Sequence, residues 1–426
     1  MLTPVKVKSD NTNVARICVP ICVSKSSELR NAIDRARSMA DFIELRLDCL
    51  EEGELDRVAQ ILDALFSKYK HNFILTFRST AQGGKGVLTE LKRHTFWLKY
   101  LAPDNHSGSF ADIELDSAIL FRDWERAGKL ELDWSRVICS HHDFEDVPDD
   151  IETIYEQMAE TPAAVLKIAV QAREVTDCLP IFKILKRAKS EHRPLIPIAM
   201  GAAGIPTRVL GPSRGAFLTF GALDKDNATA PGQVTAEELC SLYRIHSINE
   251  QTEIFGLVSS PVAQSVSPHV YNAAFAALGI NAVYLPLEVH NLKEFLRRMV
   301  RSHTFEIDWN LRGLSIANPY RSEIIGELDW IDESAREIGR VNQVTIKNNK
   351  LLGFYNDGQT ARRETSGGLK ILVAQAAKEF RLWTGKTPPL EVMENAARRA
   401  LKEQTTISSR KLIKDEQFST PYQKRK

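Results

Sequence analysis

A chain of 426 residues with 43% hydrophobic content can bury sizeable cores, and its length predicts two or three domains. A formal net charge of +1 offers little attraction to nucleic acid or an anionic membrane surface, so neither partner is expected. No apolar run approaches a membrane span, and the opening, Met1 to Ala15, is too short and polar for a signal or transit peptide, so a cytoplasmic protein is expected. The six cysteines, Cys18, Cys22, Cys49, Cys139, Cys178 and Cys240, show no paired CxxC spacing. Free buried thiols in a reducing compartment, and no zinc or other metal site, are the expectation.

Apolar runs recur along the first half at Ile17 to Ile21, Phe42 to Leu47, Phe73 to Arg78, Phe110 to Leu115 and Val137 to His142. Three more follow at Ala163 to Val170, Leu195 to Met200 and Ala216 to Phe220. Stretches between them, such as Ser27 to Met39 and Leu55 to Tyr69, carry amphipathic helical spacing. Strand and helix alternating eight times within about 230 residues predict a closed (β/α)8 TIM barrel.

Within the sixth run stands Lys167, a charged residue in a stretch that reads as a strand buried on both faces. An ammonium there loses hydration and tends to give up its proton, and a neutral amine attacks ketones and aldehydes. The plain alternative is a lysine snorkelling from an edge strand. A barrel places its reactive groups at the carboxyl ends of its strands. Glu44, Arg46 and Asp48 lie at the end of the second run, Arg78 at the third and His142 at the fifth. Arg208 follows the seventh, and Gln233 lies after the eighth. Such residues often pair on a solvated rim. Three arginines facing one lysine would repel it unless an anion were bound, which points to a small keto acid as substrate. His142 is the candidate general base, although strand alternation lets only one of His141 and His142 face inward.

Residues 14 to about 245 resemble type I 3-dehydroquinate dehydratases. The resemblance rests on Glu44-Leu-Arg46, Thr76-Phe-Arg78, Ser140-His-His142-Asp-Phe, Leu166-Lys167-Ile-Ala-Val, Thr207-Arg208 and Thr229-Ala-Pro-Gly-Gln233. It implies that Lys167 forms an imine with the ketone of 3-dehydroquinate and that His142 removes the adjacent proton and helps expel the hydroxyl. It further implies that Glu44, Arg46, Arg78, Arg208, Thr229 and Gln233 hold the substrate, with no cofactor and no metal. One departure is Gln82, where that family tends to carry glutamate; the amide keeps the shape and loses the charge.

After a closing helix from about Thr235 to Tyr243 and a polar linker, a second domain is expected from residue 252 to 358. Gly256 to Pro268 reads as a strand and a polar loop entering a helix, where Ser265 and Ser267 could cap the helix or grip a carboxylate. The segment resembles the substrate-binding domain of shikimate dehydrogenases through Tyr271-Asn272, Asn281-Ala-Val-Tyr284, Gly339-Arg-Val-Asn342 and Asn356-Asp357-Gly358. Residues 359–401, with Gln375 and Leu382-Trp383-Thr384-Gly385, resemble its closing helices. The resemblance implies shikimate or dehydroshikimate binding by Ser265, Ser267, Asn342, Asp357 and Gln375. Arg321 stands where the family's catalytic lysine would be, and arginine does not trade a proton at neutral pH. Between Gly358 and Gly367 there is no room for a Rossmann dinucleotide domain, and no GxGxxG occurs, so NADP binding is expected to be lost. Residues 402–426 read as a disordered tail. The architecture expected is thus a barrel followed by a smaller α/β substrate-binding domain without its nucleotide half. An exposed apolar face on the shortened domain would favour a homodimer. Two alternatives stay open: a bifunctional dehydratase and NADP-dependent dehydrogenase, or a barrel with a non-catalytic shikimate-binding regulatory domain.

Overall fold

The computed structural model describes residues 15–85, 89–103, 105, 109–225, 233–262, 265–356 and 368–418, with side chains as far as residue 405. The chain divides into two compact units, residues 1–250 with 287–308, and residues 251–286 with 309–426.

The first unit is built on β1 (Ile17–Ile21), β2 (Phe42–Arg46), β3 (Asn72–Thr76), β4 (Phe110–Glu114), β5 (Val137–Asp143), β6 (Val165–Gln171), β7 (Leu195–Met200) and β8 (Thr219–Phe220). They form one eight-stranded sheet in the order β7-β6-β5-β4-β3-β2-β1-β8, parallel throughout its described ladders. The barrel is nearly closed. The ends of the sheet meet where Phe217 N donates to Leu195 O at 2.7 Å, just before the two-residue β8. Helices return the chain between strands; Glu54–Tyr69, for example, buries Val58, Leu62 and Leu65 at helical spacing.

Alternation of side chains along each strand decides what fills the barrel. The inward residues at the amino-terminal end of the strands are apolar: Phe42, Ile74, Ile138, Val165, Ile196 and Leu218 belong to one buried cluster. The rings of Phe42, Phe110 and Phe217 meet edge-on or tilted with centroids 5.8–6.2 Å apart. This layer closes the floor and forces the polar inward residues further along the strands towards the opposite mouth.

Two expectations change here. Cys22, just past β1, and Cys49, just past β2, form a disulfide with Cα atoms 5.4 Å apart, so these two are not free thiols. Adjacent parallel strands bring their exits together although the cysteines are 27 residues apart in the chain. Cys18, Cys139 and Cys178 are free and buried, as expected. In addition, residues 287–308 group with the barrel rather than with the second domain. Glu174 there accepts from the backbone N–H of His290 at 3.0 Å, and Glu306 pairs with Lys183 at 2.5 Å.

A second sheet holds β9 (Glu253–Ser259), β10 (Ala282–Glu288), β11 (Leu311–Ile316), β12 (Trp330–Ile331), β13 (Gln343–Lys347) and β14 (Lys350–Phe354) in the order β10-β9-β11-β13-β14-β12, all in the second unit except the last two residues of β10. β11 lies parallel to β9 and antiparallel to β13. The helices Ser267–Ala277 and Gly368–Thr384 cover an aromatic layer in which Trp383 packs on Phe255 and Tyr271 at centroid distances of 5.0 and 5.3 Å. Gly313 is small for a reason: a Cβ there would come within 2.4 Å of the Trp383 ring. The tail expected to be disordered from residue 402 is helical as far as Phe418, the helix running from Leu390. Its Leu, Lys, Glu and Gln content favours helix even where apolar spacing is thin. Residues 419–426 lie outside the described residues. No helix among the described residues is long and apolar enough to cross a membrane.

Candidate active site

Above the apolar floor, the next inward positions are polar on five neighbouring strands. β2 supplies Glu44 and Arg46, β4 supplies Asp112 and Glu114, β5 supplies Ser140 and His142, and β6 supplies Lys167. Thr76 ends β3, with Arg78 two residues on. Register joins them: Thr76 stands beside Asp112, and Ser140 beside Lys167. They open into a partly enclosed cavity whose lining includes Arg46, Arg78, His142, Lys167, Arg208 and Gln233.

Lys167 is 5% exposed and is paired, contrary to the expected lone amine in an apolar wall. Its Nζ lies 2.8 Å from Asp112 Oδ2 and 3.3 Å from Glu44 Oε1, and 4.3 Å above the ring centroid of Phe220. Burial alone would raise the Asp112 carboxyl, but the charges of Arg78 and Lys167 prevail and hold it well below the usual carboxylate range. Asp112 also accepts hydrogen bonds from Arg78 at 2.7 Å and Ser140 at 2.5 Å, and Glu44 accepts one from Thr76 at 2.7 Å. Asp112 and Glu114 were missed in the sequence, and Ser140 was noted there only within a motif. The available signal was their period-two spacing after the floor residues Phe110 and Ile138.

The three arginines are not equivalent, which corrects the picture of three free cations around the lysine. Arg46 makes two bonds of 2.8 Å to Asp48, and Arg78 is tied to Asp112 and Ser140. Arg208 is 1% exposed and has no carboxylate partner among the described residues. Its Nη1 donates to the Phe220 carbonyl at 3.1 Å, and its buried Nε has no acceptor among the described residues. Desolvation lowers its pKa to about 10. An unpaired guanidinium aimed into a polar cavity is a seat for an anion from outside.

His142, not His141, lines the cavity, because the two rings leave the strand on opposite sides. Burial pushes its pKa well below the ordinary value, and the Arg78 and Lys167 charges push the same way against Asp112. It is therefore a neutral imidazole at pH 7, and its buried Nδ1 has no partner among the described residues. Its backbone N–H donates to Gln82 Oε1 at 3.1 Å, so the departure at that position touches the histidine directly. Gln233 reaches the cavity; Thr229 lies outside the described residues.

Residues 17–250 match the type I 3-dehydroquinase family, more than half of the chain. The chain belongs to that family. Residues 257–344 match the shikimate dehydrogenase substrate binding domain, and residues 368–398 the shikimate 5'-dehydrogenase C-terminal domain. The chain is similar to the chloroplastic bifunctional 3-dehydroquinate dehydratase/shikimate dehydrogenase of Arabidopsis thaliana, 30% identical over 81% of this chain and 55% of that protein. It is 28% identical to the shikimate biosynthesis protein AroDE of Chlamydia pneumoniae, over 80% of this chain and 66% of the relative. The 3-dehydroquinate dehydratase of Methanosarcina mazei is 31% identical over 51% of this chain and 90% of its own length. The chain thus spans between about half and two thirds of the length of the two fused relatives.

In the second unit of this dehydroquinase-family chain, the side chains of Ser265, Asn342, Arg321 and Gln375 are engaged with the protein itself. Ser265 Oγ accepts from Ser267 N at 3.2 Å, and the Asn342 side chain bonds both N–H and C=O of Asn356 at 2.9 Å. Arg321 Nε donates to the Ile316 carbonyl at 3.0 Å, and Gln375 Nε2 donates to Glu379 Oε1 at 3.1 Å. Asp357 lies outside the described residues.

Proposed function

We propose that the barrel is a type I 3-dehydroquinate dehydratase, a hydro-lyase converting 3-dehydroquinate to 3-dehydroshikimate. The observation that carries this reading is the buried Lys167 amine, held between Asp112 and Glu44 in a cavity shared with a neutral imidazole and an unpaired guanidinium. Arg208 takes the substrate carboxylate. Lys167 passes a proton to Glu44, which has no guanidinium partner among the described residues, and the freed amine adds to the ketone. Loss of water from that adduct gives a protonated imine, an electron sink for the neighbouring carbon. His142 takes the proton from that carbon; the enamine then expels the β-hydroxyl, which leaves as water with a proton returned by His142. Hydrolysis of the remaining imine consumes one water and frees Lys167, so the net change is loss of a single water. Arg46, Arg78, Thr229 and Gln233 hold ring hydroxyls in this scheme, and neither metal nor redox cofactor enters.

Borohydride reduction in the presence of 3-dehydroquinate, followed by peptide mapping, tests it. Label on the peptide carrying Lys167 is expected; label elsewhere, or none, overturns the assignment.

For the second unit we propose a domain of the shikimate dehydrogenase substrate-binding type that has lost NADP binding and dehydrogenase activity. The support is the nine residues between Gly358 and Gly368, too few for a βαβ unit of roughly 30 residues, together with arginine at position 321. NADPH consumption with dehydroshikimate would return the bifunctional reading. A homodimer remains part of this proposal, to be tested by sedimentation.

A further inference from the structure

A buried carboxyl group without a cation is expensive, and the second unit contains one. Glu379, on the helix Gly368–Thr384, is 2% exposed and forms no ion pair among the described residues. It is satisfied by donors from three elements. Tyr271 Oη, on the helix Ser267–Ala277, donates to Oε2 at 2.5 Å; Ser315 Oγ, on β11, donates to the same oxygen at 2.7 Å; Gln375 Nε2, one turn earlier on its own helix, donates to Oε1 at 3.1 Å. Beside them the fully buried Tyr284 hydroxyl makes no well-formed hydrogen bond among the described residues, although the Ser267 and Ser315 hydroxyls lie close to it. Tyr271 and Tyr284 stack with centroids 4.4 Å apart, and Trp383 packs on both.

Convergent hydroxyl and amide donors beside stacked rings suit the carboxylate and ring of a small cyclic hydroxy acid. We propose that this cluster is the carboxylate seat of the second unit and that the chain fills it with its own Glu379, an internal occupant that excludes an external acid. This deepens the reading of the unit as a substrate-binding domain and rests on it. The side chains of Ser265 and Asn342 already have protein partners, and Gln375 is spent on Glu379 itself. Desolvation raises the Glu379 carboxyl above its ordinary value against the pull of its hydrogen bonds, consistent with a group held by neutral donors. Arg321 is near enough for its charge to act on Glu379, yet its Nε is turned to the Ile316 carbonyl.

The test is calorimetric titration of the full chain with shikimate, comparing the unchanged protein with Glu379→Ala and Glu379→Ser. Emptying the seat should add one binding site per chain. Affinity at that site should fall roughly tenfold or more when Ser315→Ala is added, since it removes one hydrogen bond to a charged group. The difference in stoichiometry cancels any binding at the barrel, and the borohydride experiment reports on the barrel separately. Should the substituted second unit melt early, shikimate must restore its transition, since ligand then supplies the missing carboxylate. Three results overturn the proposal: the unchanged protein already shows the extra site, folded Glu379→Ala and Glu379→Ser chains gain none, or shikimate fails to restore a melted unit.

Discussion

Both units bury a carboxyl group that accepts a serine hydroxyl, and they solve the problem of its charge differently. In the barrel, Asp112 is matched by Lys167 at 2.8 Å and Arg78 at 2.7 Å, and its pKa falls. In the second unit, Glu379 meets only hydroxyls and an amide at hydrogen-bond distance, and its pKa rises. The same burial therefore produces a fixed negative charge in one place and a group inclined to keep its proton in the other. A fixed charge can hold a reactive ammonium ready, whereas burial among neutral donors makes a carboxyl easier to protonate. Arg208 shows the third case, a buried charge with no internal partner, which suits a ligand that brings the opposite charge.

Amide substitutions put the contrast under strain. Asp112→Asn leaves Lys167 and Arg78 buried with their main counter-charge gone, and a broken buried pair costs about 3–5 kcal/mol. Glu379→Gln keeps the shape and can keep the Tyr271 and Ser315 bonds on its amide oxygen, while its new NH2 pairs with Gln375 once that amide turns its own oxygen to it, so its cost should stay near about 1 kcal/mol. Urea unfolding of both variants measures the two costs side by side. Equal losses would show that the two carboxyl groups do the same work after all.

Much of this contrast could be read from the chain only in part. The barrel follows from eight apolar runs, and Glu44, Arg78, His142 and Lys167 follow from alternation along those runs. Alternation also assigns Asp112 to the interior, but an aspartate near a strand end reads equally well as a rim residue until neighbouring strands are in register. Pairing is likewise invisible: that Arg46 is spent on Asp48 while Arg208 is not depends on which loops fold back. Cys22 and Cys49 give no local signal because only the adjacency of two strand exits joins them. Glu379 looks like a surface residue of a mixed helix, and only the packing of that helix on β11 and on Ser267–Ala277 turns it inward.

Arg208→Ala should raise KM for the keto acid roughly 10–100-fold, the worth of a hydrogen-bonded charge pair, and change kcat less. Steady-state kinetics separates the two parameters. The matching change at Arg46, whose charge is already met by Asp48, should raise KM by a smaller factor. A reversed order would move the anion seat from Arg208 to Arg46.

The smallest effect is the pH dependence of stability, and here the two carboxyl groups pull in opposite directions. Asp112, lowered in the folded state, contributes stability above the ordinary carboxylate range, near pH 4, that is lost as pH falls from there through its lowered value. Glu379, raised in the folded state, binds its proton more tightly when folded, so its contribution is present at low pH. That contribution is lost as pH rises from about 4.3 through its raised value. Glu379→Gln removes the second dependence and leaves the first. Between pH 4 and neutrality, the urea midpoint of this variant should therefore climb relative to that of the unchanged protein, while the acid loss below pH 4 stays in both. Parallel curves across that range would mean that Glu379 titrates alike in the folded and unfolded chains, and that its burial among neutral donors leaves no mark on its proton.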